Sequence, residues 1–242
     1  MRNVSTNLKM RHLFFLTVLT ICQTVLAQDN YELSSIGLTA NGGLSKVSTN
    51  YSSTGWAVNN NIFRFSGHAG LFYNLHITEN SSIETALLFT QVEGKEHQSF
   101  QLHDSVGNPW PVYFVDNYYR HITYLGLPIQ YGLQVKRFTI AIGGQLSFAL
   151  LKNERHEYYT SYPKSEPDPR NENNKLNIDS FDYGIKGGLL FNLTEKFTLE
   201  TTFYQSLNNI YKNNEYTWTI QQWTVGLRYK FFVRQTVCIT RQ

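Results

Sequence analysis

The sequence predicts an all-β fold, an eight-stranded antiparallel up-and-down transmembrane β-barrel. Bulky apolar residues alternate with small or polar residues in segment after segment, with the period of two that defines a strand. Short and long connections also alternate along the chain, as they do in an up-and-down barrel. No segment after residue 27 offers the roughly 18 apolar residues that a spanning helix needs, so we expect any membrane insertion to use strands.

The clearest strand pair is a hairpin from Tyr124 to Leu151 that reverses near Lys136 and Arg137. One face is bulky and apolar, and carries Leu125, Leu127, Ile129, Tyr131, Leu133, Ile140, Ile142, Leu146, Phe148 and Leu150. The other face is small, polar and rich in Gly, which suits the crowded interior of a closed barrel whose bulky face meets lipid. The alternative is a soluble exported barrel whose bulky face points inward around a ligand.

Six further segments alternate in the same way, near residues 36–45, 63–76, 83–90, 181–192, 197–204 and 223–231. Each strand is expected to run for about ten residues, the length of a tilted crossing. Short connections fall near 78–82, 134–137 and 193–196, and long polar ones near 46–61, 93–118, 152–177 and 208–216. The short turns therefore lie at one end of the barrel, together with both termini.

The predicted domain organisation has three parts: a signal peptide over residues 1–27, the barrel over 28–232 and a C-terminal periplasmic tail over 233–242. The first part has a basic start that ends at Arg11, an apolar run, and small residues before Gln28. Acylation at Cys22 is a weaker alternative, because Thr20 and Ile21 precede it where small residues are wanted.

The charge and cysteine content of the mature chain exclude several functions. The formal net charge of +3 comes from Arg2, Lys9 and Arg11, so the remainder is neutral and nucleic acid is not an expected partner. Cys238 is the only cysteine after the signal peptide, so no disulfide within the chain and no cysteine-based metal site can form. We predict no cofactor.

Charged residues on the predicted inner face define a candidate lumen charge network: Arg64, Glu84, Asp182, Lys186, Glu200, Arg228 and Lys230. If the last two strands align their aromatic ends, Glu200 falls beside Arg228, and pairing is expected because an unpartnered buried charge is costly. The network would line a gated pore or form a structural plug. We favour the plug, because eight strands leave an interior that side chains fill.

Histidine and aspartate residues near the long connections give a weaker hypothesis, an enzyme at the outer rim. It predicts that Asp116 and His121 approach hydrogen-bond distance, with His97, His103, Asp104 and His156 nearby. No Gly-x-Ser-x-Gly nucleophile motif is present, so we predict no enzyme activity, no catalytic residues and no metal site. Tyr158, Tyr159 and Tyr162 form an aromatic loop that either binds an external partner or is merely solvated.

Three segments resemble the PorT-type family of small outer-membrane barrels. They are Tyr124 to Ile129, with its Tyr-Leu-Gly-Leu-Pro-Ile order, the Gly-rich strand from Ala141 to Phe148, and the aromatic final strand from Trp223 to Phe232. The resemblance covers the whole mature chain, apart from the tail that begins at Val233. It implies an outer-membrane barrel and, from the founding member, a link to a protein-secretion assembly.

These observations predict a monomeric integral outer-membrane protein with a structural or interaction role, in contact with outer-membrane lipid. The expected protein partners belong to an envelope or protein-secretion assembly. The N- and C-termini are expected in the periplasm. A small-solute channel is the main alternative function, and a rim enzyme is a further one.

Overall fold

The computed structural model describes residues 34–51, 58–78, 80–102, 112–160, 172–211 and 216–233. Within them the strands are β1 (Ser34–Tyr51), β2 (Val58–Thr78), β3 (Ser81–Leu102), β4 (Val112–Val135), β5 (Phe138–Thr160), β6 (Glu172–Lys175), β7 (Phe181–Asn192), β8 (Phe197–Ser206) and β9 (Tyr216–Val233). They form one compact unit, Ser34–Val233. The predicted signal peptide and the tail after Val233 lie outside the described residues.

The strands close into a ring. β1 to β5 pair in sequence order, β5 then pairs with β7, and β7, β8 and β9 continue the antiparallel order. β9 pairs along β1, for example Leu38 with Tyr229 and Leu44 with Trp223, which closes the sheet. The eight-stranded up-and-down barrel is confirmed. The short β6 pairs with β5 at Asn153–His156, on the same side as β7 but farther along the strand.

The hairpin of β4 and β5 is built as the alternation predicts, and its turn is tight. Val135 pairs with Phe138, so only Lys136 and Arg137 connect the strands. Lys136 has a φ of 58°, a left-handed backbone conformation that tight hairpins require and that glycine adopts more readily.

Two predictions about element lengths are wrong. The barrel strands were expected to have about ten residues, but β3 has 22, β4 has 24 and β5 has 23. The predicted connections at 93–118 and 152–177 are largely strand, up to Leu102, from Val112 and up to Thr160. The reason is physical: the bulky apolar alternation ends where the lipid-facing band ends, whereas the backbone hydrogen bonds between strands continue beyond it.

The two faces of the sheet have inverted polarity compared with a water-soluble protein. Large apolar side chains are exposed on the outer face, among them Phe65 at 68% and Ile142 at 62%. Polar side chains are buried on the inner face, among them Ser45 at 0% and Glu200 at 1%. The alternative of a soluble barrel with its bulky face inward is therefore wrong. Within the described residues, no helix has the length and apolar character that a membrane crossing requires.

Candidate functional site: a packed lumen with two ionic clusters

The first ionic cluster is centred on Arg228 of β9. Its guanidinium donates from Nε to Glu200 Oε2 at 2.8 Å and from Nη2 to Glu200 Oε1 at 2.5 Å. It also donates to both oxygens of Glu84 on β3, with Nη2 at 2.7 Å from Oε1. Thr39 and Asn41 on β1 donate to Glu200 Oε2 at 3.0 and 3.1 Å. Paired guanidinium and carboxylate groups of this geometry form strong, charge-assisted hydrogen bonds.

Not every residue of the predicted lumen network joins this cluster. Lys186 is buried and interacts electrostatically with Glu200, and Lys230 lines a small vestibule with Glu84 and Arg228. Asp182 is elsewhere: it accepts hydrogen bonds from Tyr204 Oη at 2.8 Å and Ser206 Oγ at 2.7 Å. Hydroxyl groups, rather than a cation, satisfy this carboxylate.

The prediction that Arg64 faces the lumen is wrong. The register of β2 against β3 shifts between Phe63, opposite Gly94, and Gly67, opposite Gln91, so β2 holds one extra residue there. Such a bulge changes the direction in which side chains point. Arg64 is exposed, and its guanidinium carbon lies 5.6 Å from the centre of the Tyr119 ring.

Above the first cluster, the lumen is filled by an apolar layer that the sequence analysis did not predict. Its fully buried members are Ile122, Ile210 and Ile220, each with 0% exposure. Other members of the same packed cluster are Val47, Val92, Tyr124, Ala149, Leu176, Ile178, Tyr204 and Trp218. Ile178 and Ile210 come from segments outside the barrel strands, so the closing layer includes connecting chain.

A second ionic cluster lies beyond the apolar layer and is centred on Arg120 of β4. Arg120 Nη2 is 2.5 Å from Glu96 Oε2, and its Nε is 3.1 Å from Glu154 Oε2. Thr49 donates to Glu96 at 2.9 Å, and the Arg120 guanidinium lies 3.8 Å from the Trp218 ring centre. Both Arg120 and Glu96 are buried, at 4% and 0% exposure.

This second cluster was missed because Glu96 falls in a predicted loop. A signal was present: Glu96 and Glu84 share the even-numbered positions of β3, and those positions are buried from Ser82 to Gln98. The two glutamates are roughly 40 Å apart along the strand, at about 3.4 Å per residue.

The rim residues do not pair as the enzyme hypothesis predicts. Asp116 Oδ1 is 3.1 Å from His156 Nε2, whereas His121 Nδ1 is 3.3 Å from Glu93 Oε1. The Tyr118 ring stacks on His156 with 4.4 Å between ring centres. Burial, followed by the Asp116 carboxylate, raises the pKa of Tyr118 to about 12.

The remaining candidate residues are placed only in part. Tyr158 is half-buried on the extension of β5, and Tyr162, His103 and Asp104 lie outside the described residues. Tyr159 belongs to β5, where it pairs with Val115. Among the described residues, no group of three or more histidine, cysteine or acidic side chains is arranged to hold a metal ion.

A closed ring of strands with an apolar outer face and a polar, packed interior defines a transmembrane β-barrel protein. Residues 26–212 match the family model of the outer membrane protein beta-barrel domain, and the chain belongs to that family. It is thus an integral outer-membrane protein. No curated protein matches the sequence.

Several solved structures are similar to this chain. The attachment invasion locus protein Ail of Yersinia pestis, solved with the heparin analogue sucrose octasulfate, is 12% identical over 82% of this chain and 98% of its own, with a TM-score of 0.37. Neisserial surface protein A is 13% identical over 83% and 100%, with a TM-score of 0.39. The outer membrane protease OmpT of Escherichia coli is 11% identical over 84% and 99%, with a TM-score of 0.28.

Proposed function

We propose that this protein is a closed outer-membrane barrel with a structural or interaction role, and that it works within an envelope or protein-secretion assembly, as its PorT-type motifs imply. The observation that carries the proposal is the apolar layer around Ile122, Ile210 and Ile220. A hydrophobic constriction excludes water and therefore ions. A lumen closed in this way leaves the ends of the barrel as the surfaces for function.

The long-strand end supports an interaction role. β3 and β5 continue well beyond Phe89 and Leu151, which are among the last exposed large apolar side chains of the outer face, and β4 continues between them. We call these extensions, over residues 91–102, 112–123 and 152–160, the collar. A hydrogen-bonded sheet holds its side chains more rigidly than a loop does, and rigid elements make better binding surfaces.

The proposed orientation places the collar outside the cell and both termini, with the short turns, in the periplasm. Barrels of this class have short periplasmic turns and longer external segments. Tyr158 and Tyr159 at the end of β5, with Tyr162 beyond it, would then meet an external partner. Aromatic side chains are frequent anchors in protein interfaces.

Native purification tests the interaction role. We expect the full-length barrel, extracted in mild detergent, to retain envelope proteins that mass spectrometry identifies. A triple variant with Tyr158, Tyr159 and Tyr162 changed to Ser should lose an external partner, whereas the control Lys136→Gln with Arg137→Gln at the opposite turn should keep it. A folded barrel, shown by heat-modifiable gel migration, that emerges without partners would contradict the proposal.

A small-solute channel is the second candidate, favoured by the polar vestibule at the short-turn end. This vestibule is lined by Glu84, Arg228 and Lys230 together with His76 and Gln134. Single-channel recording in planar bilayers separates the two functions. Stable conductance from the wild-type protein would favour the channel, and its absence would favour the closed barrel.

A further inference from the structure

The outer surface of the collar carries a cluster of charged and aromatic side chains directly above the apolar band. In cross-strand rows, Lys95 pairs with Tyr119 and Tyr119 with Arg155, while Glu93 pairs with His121. An open groove is bordered by Arg64, Glu93, Tyr119, His121 and Arg155, and also by Arg120 and Glu154 of the second ionic cluster. Lys95 lies over the Tyr119 ring at this groove. We call Arg64, Lys95, Tyr119, His121, Arg155 and Glu93 the collar patch.

Two cations of the collar patch converge on one aromatic ring. Arg64 lies 5.6 Å and Lys95 lies 5.0 Å from the centre of the Tyr119 ring. In the part of the chain that the structure describes, neither forms an ion pair with a carboxylate. Cations that approach each other repel unless an anion lies between or beside them. A bound anion would therefore stabilise this arrangement of the two cations.

The position of the patch identifies the kind of anion. On β2, Arg64 lies between Phe63 and Phe65, whose exposed side chains, at 40% and 68%, belong to the apolar band. Lys95 pairs with the exposed Ile62 of the same strand, so both cations lie at the edge of the band. The polar headgroup region of a bilayer begins at this band edge and is about 5–8 Å deep. Long basic side chains reach several ångströms from their backbone, so those of the patch reach headgroups.

The carboxylates near the patch leave it with a positive balance. Glu93 is occupied by His121 at 3.3 Å and by Gln91 Nε2 at 3.0 Å. Glu157 accepts from Arg155 at 2.6 Å, although the Arg155 side chain is still 53% exposed. Arg64 and Lys95 thus remain the two cations that a multiply charged headgroup can bridge. Phosphate, with several acceptor oxygens, suits a guanidinium and an ammonium group together.

We propose that the collar patch binds the phosphorylated headgroup of an outer-leaflet glycolipid, with Arg64 and Lys95 on its phosphate. The lipid's acyl chains would lie along the exposed apolar band below, where Leu151 and Phe89 face outward. The inference rests on the proposed orientation, because only then does the patch meet the outer leaflet.

Binding of a defined glycolipid to the full-length protein in detergent tests this inference. The probe is diphosphorylated lipid A, compared with its dephosphorylated analogue and with inorganic phosphate as a competitor, and native mass spectrometry measures the bound fraction. We expect Arg64→Gln with Lys95→Gln to weaken lipid A binding about tenfold or more, which corresponds to about 1.4 kcal/mol. The dephosphorylated analogue should bind the wild-type protein as weakly as lipid A binds the double variant.

The matched control is Arg137→Gln with Lys196→Gln, two exposed cations at the short-turn end. It should bind lipid A as the wild type does. The proposal would be overturned if the Arg64 and Lys95 double variant bound lipid A as tightly as the wild type does. It would also be overturned if the wild type bound the dephosphorylated analogue as tightly as lipid A. Binding of inorganic phosphate without binding of lipid A would assign the patch to free phosphate and overturn the glycolipid. Heat-modifiable migration verifies that each variant is folded. Binding in detergent does not depend on orientation, so the labelling experiment below tests the orientation separately.

Discussion

Arg228 on β9 and Glu84 on β3 form a two-bonded ion pair across the lumen, although β1 and β2 separate their strands around the ring. The contact joins residues 144 positions apart in the sequence. The ion pair links β3 to β9 across the lumen. Glu200 of the neighbouring β8 accepts a further hydrogen bond from Arg228.

Replacement of Arg228 by Leu should strongly destabilise the barrel, because Glu84 and Glu200 would remain buried without the guanidinium that forms hydrogen bonds to both of them. Loss of one partner of a buried ion pair typically costs about 3–5 kcal/mol. The measurement is urea-induced unfolding in lipid vesicles, followed by tryptophan fluorescence. The triple variant Arg228→Leu, Glu84→Gln and Glu200→Gln should recover part of the loss. Unchanged unfolding of Arg228→Leu would show that the tie contributes no net stability.

The two ionic clusters should contribute independently to stability. Arg120→Leu removes the guanidinium that contacts Glu96 and Glu154 and should destabilise the barrel in the same assay. Because the apolar layer separates Arg120 from Arg228, the free-energy changes of the two single variants should add within about 0.5 kcal/mol in the double variant. A larger coupling energy would mean that the two ionic clusters interact energetically across the apolar layer.

Polar substitutions in the apolar layer should make the lumen conduct. We expect Ile122→Ser with Ile220→Ser to produce current steps in planar bilayers, since a wetted constriction no longer excludes ions. The control is Ile142→Ser, which changes a lipid-facing side chain with 62% exposure. Conductance from the control, or from the wild-type protein, would contradict closure by this layer.

Adjacent glycines on β5 should differ sharply in their tolerance of alanine. A Cβ on Gly143 would collide with the backbone oxygen of Ile129 on β4, whereas one on Gly144 would have its nearest neighbour, the Gly184 oxygen, at 3.7 Å. Overpacking of this kind costs about 1–3 kcal/mol. The folded fraction on unheated gels after refolding should fall for Gly143→Ala and stay near wild type for Gly144→Ala. Equal folded fractions of the two variants would show that the strands separate easily at this point.

Cysteine labelling of whole cells tests the proposed orientation. In a Cys238→Ser background, Asn153→Cys in the collar should react with a membrane-impermeant maleimide. Arg137→Cys in the turn between β4 and β5 should react only after the outer membrane is permeabilised. Both native side chains are exposed, so access to the reagent depends on which side of the membrane they face. The reverse pattern would place the collar in the periplasm.

Part of the lumen could be predicted from sequence. Alignment of the aromatic ends of β8 and β9 places Glu200 near Arg228. In the structure Thr198 lies opposite Arg228, and Glu200 is two residues farther along the same face of β8. The exposed position of Arg64 and the hydroxyl partners of the buried Asp182 did not follow from the sequence. A single bulge turns Arg64 outward, and Asp182 is satisfied by hydroxyl groups on β8. Alternation predicts a face, but not a bulge or a choice of partner.

The sequence by itself determined the barrel, its eight strands and which face meets lipid, because a period of two is a local property that each strand displays along its own length. Only the tertiary structure decided that Arg228 reaches Glu84 across the lumen, that Arg120 gathers Glu96 and Glu154, and that Ile178 and Ile210 help to close the space between the clusters. These contacts join strands and connections that are distant in sequence, and closure of the ring is the physical event that brings them together.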